Sequence, residues 1–161
     1  MATLTFSPEQ DSIDVEIFIA APAERVFQAI TDPAQVSQWW GRKGMYRITV
    51  REGVVKVGEK WRTIGVGAKG DTFEVKGEYL EVEPPRLLVH TWVSSWCGGL
   101  QTTVRWELVP ERGGTLVKIH HSGFAGQPAA AQDHYQGWTR VLGWIQAYVE
   151  KSETIETRPG V

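Results

Sequence analysis

Four histidines and one cysteine are the side chains with which this chain of 161 residues could move a proton, attack a carbonyl or hold a soft metal near neutral pH. Two of the histidines are adjacent, in Lys118-Ile119-His120-His121-Ser122-Gly123-Phe124. Such a pair could serve as a metal-ligand or acid–base set only if both rings reached one point. On a strand they do not, because successive side chains leave opposite faces. Val117 and Ile119 share a face with His121, whereas Leu116 and Lys118 share one with His120. The spacing sends His120 to solvent and His121 inward near the strand end, and it argues against a shared metal. His121 is then either a polar group of an internal pocket or a rim histidine bonded to backbone or water.

His90 lies in Leu87-Leu88-Val89-His90-Thr91-Trp92. Leu88, His90 and Trp92 alternate with Val89, Thr91 and Val93, and both faces read as apolar, so alternation alone does not orient the strand. If the Leu88 face is inward, His90 and Trp92 line the interior. His134 directly precedes Tyr135 on a helical pattern and reads as a partly exposed surface residue. Cys97, in a Ser-Trp-Cys-Gly-Gly loop, has no neighbour that would activate a thiolate. As the only cysteine it permits no intrachain disulfide and no four-cysteine zinc site. Glu81 and Glu83 alternate with Leu80 and Val82 and face outward. No nucleophile elbow, phosphate loop or dinucleotide glycine pattern is present, and the glycines of 65–70 join two strands as a hairpin. Neither a metal nor a cofactor is expected.

The whole-chain numbers narrow the partners. Hydrophobic residues are 42% and charged residues 22% of the chain, a soluble composition, and a net charge of −2 offers nothing to nucleic acid or an anionic membrane. No run approaches the ~20 apolar residues of a membrane span. No signal peptide is visible at the N-terminus, and a cytoplasmic location is expected. Eight tryptophans are the unusual count, and they suit a ring-built core or a ring-lined pocket.

The elements that must position these groups follow from periodicity. Ile13, Val15, Ile17 and Ile19 alternate as a half-buried strand. Pro22 opens a helix with Val26, Phe27 and Ile30 as its stripe, and Pro33 ends it. Asp32 caps a second short helix, Gln35 completes a capping box, and Gly41 stops it. Strands are expected near 45–51, 59–66, 71–83, 86–96, 101–109 and 114–121, with connections short enough for an antiparallel meander. A long helix begins near Pro128, with Ala131, Tyr135, Trp138, Leu142, Ile145 and Val149 on one face. The fold class is α+β, with about seven antiparallel strands curved round the C-terminal helix and two short helices after the first strand. One domain spans 1–161, its core at 13–151, with 1–11 and 152–161 flexible.

Four segments carry a resemblance to a known family: 19–41 (IAAPAERVFQAITDPAQVSQWWG), 77–92 (GEYLEVEPPRLLVHTW), 104–124 (VRWELVPERGGTLVKIHHSGF) and 137–150 (GWTRVLGWIQAYVE). Their order and spacing resemble the helix-grip fold of the START-like (SRPBCC) superfamily, in the branch named after the C-terminal domain of the activator of the Hsp90 ATPase. The resemblance implies a cavity between sheet and long helix, with a hydrophobic small molecule as partner. The expected lining is Tyr79, His90, Trp92, Trp106, His121, Trp138 and Leu142, with Trp92, Trp106 and Trp138 as walls and His90 or His121 fixing orientation. Two other readings stand beside it: a cyclase- or hydrolase-like enzyme using His121 or His90, and an interaction protein such as a chaperone accessory. A homodimer is left open.

Overall fold

The computed structural model describes residues 11–161. The expectation of flexibility over 1–11 lies, Asp11 apart, outside the described residues. Strand β1 (Ser12–Ile19) leads into helices α1 (Ala23–Thr31) and α2 (Pro33–Trp39). Seven strands follow: β2 (Gly41–Arg42), β3 (Tyr46–Glu52), β4 (Lys60–Gly67), β5 (Thr72–Glu83), β6 (Leu87–Ser94), β7 (Gln101–Glu111) and β8 (Gly114–Ser122). Helix α3 (Pro128–Lys151) closes the order. The strands form one curled antiparallel sheet, β1-β8-β7-β6-β5-β4-β3-β2. It is a meander from β2 to β8, and β1 returns to pair with β8. The eighth strand beyond the seven expected is the two-residue β2, too short to leave a periodic signal.

Local chemistry sets the helix ends. Asp32 Oδ1 accepts from the Ala34 amide at 3.1 Å, with Pro33 at the first helical position. Gln35 donates to Asp32 Oδ2 at 3.1 Å rather than meeting the Asp32 amide. That amide is already held by Gln28 O of α1, so the box closes on the carboxylate.

Alternation holds along β8. Val117, Ile119 and His121 are all buried, and His120 is 45% exposed with its Nδ1 2.8 Å from Asp14 Oδ1. On α3 the buried face is Ala131, His134, Trp138, Val141, Leu142, Trp144, Ile145 and Tyr148. The stripe is rotated from the expected one, and Tyr135 and Val149 sit at its margin.

Side chains of α3 also reach β1, where Gln146 Nε2 donates to Phe18 O at 2.8 Å and Glu150 Oε2 accepts from the Ala20 amide at 2.8 Å. The segment after α3 packs where flexibility was expected. Ile155 is 1% exposed, and its amide donates to Gln38 O at 2.9 Å. Arg42 Nε donates to Pro159 O at 3.0 Å. Arg158 is buried and paired with Glu153 at 2.7 Å, and its Nη1 donates to Trp39 O and Gly41 O at 2.9 and 2.6 Å. Among the described residues no helix is long and apolar enough to cross a membrane.

Candidate functional site

A cavity of about 340 Å³ lies between β3–β6 and the N-terminal half of α3. Seven tryptophan, tyrosine and phenylalanine rings line it: Trp40, Tyr46, Trp61, Phe73, Trp92, Trp96 and Trp138. Two of them owe their seats to glycine. Trp61 pairs across the sheet with Gly77, and Phe73 pairs with Gly65. A Cβ at Gly65 would stand 2.1 Å from Phe73 Cζ, and one at Gly77 would stand 2.8 Å from Trp61 Nε1 and 2.0 Å from Thr91 O. The missing side chains let each ring lie down on the sheet.

The polar lining is sparse. Arg51, Thr63 and His134 belong to the wall, while Asp71, Asp133 and Arg140 are exposed and mark the mouth. Trp96 also lines the mouth: its Nε1 donates to Asp133 Oδ2 at 2.9 Å and its ring stacks on His134. Arg51 Nη1 donates to Thr63 Oγ1 at 3.0 Å, and the guanidinium lies 4.9 Å from the Trp61 ring centroid. Burial pulls its pKa below the usual guanidinium range, and the neighbouring Tyr79 opposes that shift.

Three buried histidines, His134 in the wall and His90 and His121 behind it, share one arrangement. Trp106 Nε1 donates to His90 Nε2 at 3.3 Å, Trp138 Nε1 to His121 Nδ1 at 2.9 Å, and Trp92 Nε1 to His134 Nε2 at 3.1 Å. An indole only donates, so each accepting nitrogen is unprotonated and the tautomer is set. The other nitrogen donates: His90 Nδ1 to Thr91 O at 2.9 Å, His121 Nε2 to Thr102 Oγ1 at 2.6 Å, and His134 Nδ1 to Ala130 O at 2.8 Å. Thr102 passes its own proton to Trp92 O at 3.1 Å. Burial keeps all three rings neutral. His90 is lowered to about 4 by desolvation, with Thr91 O pulling the other way and the Arg51 charge adding to the fall. His121 falls well below the ordinary value through desolvation and then the neighbouring imidazoles. His134 is lowered by desolvation, with Ala130 O and Asp133 pulling the other way. These rings hold indoles in place.

Of the seven residues expected to line the site, Trp92 and Trp138 face the cavity. Tyr79, His90, Trp106, His121 and Leu142 are all buried but stand outside its lining, in the layer that backs the wall. His121 is bonded to Trp138, and Trp106 packs edge-on against Trp138 at 5.4 Å. Alternation gives a residue's face but not its depth, which explains the difference.

Several lining residues had escaped the sequence reading. His134 was expected at the surface, yet it is 5% exposed, because it lies three residues after Ala131 and four before Trp138 on the same helix face. A polar residue at an apolar spacing was the available signal. Arg51 had none. The register shift between Ile48 and Val50 reverses the alternation, so Arg51 joins Tyr46 and Ile48 at the cavity. Trp61 and Phe73 could have been found from the glycines that their strands pair with. Among the described residues no group of His, Cys, Asp or Glu could hold a metal.

Residues 20–150 match the family described as activator of Hsp90 ATPase homolog 1-like protein. No curated protein matches the chain significantly. Among solved structures, protein CV1439 from Chromobacterium violaceum is 25% identical, with a TM-score of 0.77 over 87% of this chain and 97% of its own. Protein Ms6760 from Mycobacterium smegmatis is 17% identical, with a TM-score of 0.79 over 94% and 98%. CalU16 from Micromonospora echinospora is 24% identical, with a TM-score of 0.65 over 88% and 77%. The last two show likeness of fold.

Proposed function

The chain belongs to the activator of Hsp90 ATPase homolog 1-like family, and from that premise we propose that it binds an apolar or aromatic small molecule between the sheet and α3. The observation that carries this reading is the cavity of about 340 Å³ lined by seven tryptophan, tyrosine and phenylalanine rings. That volume falls at the lower end of the roughly 300–1,000 Å³ of small-molecule sites. Burial of ligand surface supplies the attraction, at roughly 25 cal/mol per Å² before the costs of association. Trp92 and Trp138 act as walls, held by His134 and His121 respectively, and Trp106, itself held by His90, packs against Trp138. Acid–base catalysis by His90 or His121 gains no support, because both nitrogens of each ring are engaged within the protein. The reading includes a cytoplasmic location and needs no cofactor.

The test is a panel of neutral aromatic and aliphatic compounds screened by thermal shift and tryptophan quenching. A binder held at 100 times its Kd raises stability by about 2.7 kcal/mol, which a melting curve resolves. A panel in which no compound shifts the melt or quenches the tryptophans overturns the reading.

A further inference from the structure

Arg51 is the half-buried cationic side chain of the cavity lining; the other, Arg140, is exposed. Among the described residues no carboxylate stands within 4.0 Å of its guanidinium. Of its five N–H donors, Nη1 meets Thr63 Oγ1, the Tyr79 side chain stands beside the group, and Cζ lies over the Trp61 ring. A guanidinium carried into an apolar space without a counter-charge is destabilising unless something outside the chain answers it. Arg158 shows the ordinary alternative in the same molecule, with a carboxylate and three backbone carbonyls around it. The wall beside Arg51 holds a second unanswered donor. Trp61 Nε1 is, among the described residues, the buried side-chain polar atom with no hydrogen-bond partner. Donors are therefore in excess at this end, where Thr63 Oγ1 is already engaged and the Tyr79 side chain is the other polar group beside the guanidinium.

From this excess we propose that the ligand is an organic acid: an apolar or aromatic body carrying one carboxylate, which Arg51 receives as a counter-charge inside the cavity. The inference rests on the proposed small-molecule role and specifies its ligand class. A planar guanidinium presents paired N–H groups that match the two oxygens of a carboxylate. The aromatic walls take the rest of the molecule. Asp71 and Asp133 at the mouth carry the opposite charge to Arg51 and disfavour an acid that stops at the entrance, while Asp133 is also tied to Trp96. Arg51 is the half-buried cation of the lining and answers one carboxylate, while Arg140 lies exposed at the mouth.

The experiment compares 2-naphthoate with 2-naphthylmethanol, a pair of the same shape, by isothermal titration calorimetry at pH 7.5. It uses the full chain and the variants Arg51→Met and Arg51→Lys. The acid is expected to bind the native protein roughly 10- to 100-fold more tightly than the alcohol, as charge-assisted hydrogen bonds imply. Arg51→Met abolishes that preference, so that acid and alcohol bind it with equal affinity. Arg51→Lys keeps part of the preference. Removing an unanswered charge also leaves the ligand-free melting temperature of Arg51→Met equal to or above the native one, which checks that the variant is folded. An alcohol that binds as well as the acid overturns this inference and leaves the small-molecule reading standing. Failure of both compounds, with the wider panel also silent, overturns the two together. A melting temperature well below native in both Arg51 variants makes Arg51 a structural residue and refutes the assignment.

Discussion

Lowering the pH should unfold this protein through its tryptophan-bound histidines before its carboxylates are protonated. A histidine has a pKa of ~6.5 in an unfolded chain, and His90 stands at about 4 in the folded one. Between those values the unfolded state binds a proton that the native state refuses, so stability falls as pH falls. The contribution is fully present above pH ~6.5. His90 alone removes about 2 kcal/mol by pH 5 and about 3 kcal/mol by pH 3. His121 and His134 are shifted in the same direction and add to the loss. Set against a typical total of ~5–15 kcal/mol, that is enough to unfold a marginal domain. The measurement is urea unfolding followed by tryptophan fluorescence at pH 7.5, 6.5, 5.5 and 5.0. The slope of stability between pH 6.5 and 5.0 should exceed about 1.4 kcal/mol per unit, meaning an uptake of more than one proton on unfolding. His90→Gln retains an acceptor for Trp106 and removes one titrating group, so its slope should be smaller by about one proton. Stability that is flat from pH 7.5 to 5.5, or an unchanged slope in His90→Gln, would refute the picture of neutral buried rings.

Other substitutions probe the frame. Trp138→Phe keeps a ring against the cavity but leaves His121 Nδ1 without its donor, and should lose about 1–3 kcal/mol in urea unfolding. Gly65→Ala drives a methyl into the Phe73 ring; ligand quenching should weaken together with a fall in melting temperature, because the same ring forms the floor of the cavity. Arg158→Met leaves Glu153 and three carbonyls unpaired and should cost about 3–5 kcal/mol, measured by the shift in urea midpoint.

The order of elements was legible because each carries its own period. Alternating isoleucines wrote β1, Pro22 and Pro33 punctuated the small helices, and apolar spacing wrote α3. The separation of His120 from His121 was legible for the same reason. The site was legible only where a wall residue sat on an unbroken alternation, as Trp92 does. Arg51 lies past a bulge, and a one-residue shift inverts every face that follows it. His134 reads as a surface residue from its place directly before Tyr135, although three residues after Ala131 and four before Trp138 is a position for burial. The second layer was misplaced because His90, His121 and Trp106 point inward but sit behind other rings. Depth is a property of how neighbouring strands curve, and no single strand records it. The segment after α3 reads as polar in sequence, yet Ile155 and Arg158 anchor it through partners more than a hundred residues away.

An open sheet has two margins, and each bare margin is a template on which another chain can add a strand. Here each is met at one end from within. On the β1 side, Gln146 takes up the Phe18 carbonyl and Glu150 the Ala20 amide. On the β2 side the strand is only two residues long, and the C-terminal segment lies against it through Arg42 and Pro159. Strand addition, the easiest route from a β-rich monomer to aggregates or swapped assemblies, would have to displace one of these covers first. The polar residues at the end of α3 and the last turn of the chain thus act on colloidal behaviour: their removal would show as a rising tendency to self-associate before any loss of secondary structure.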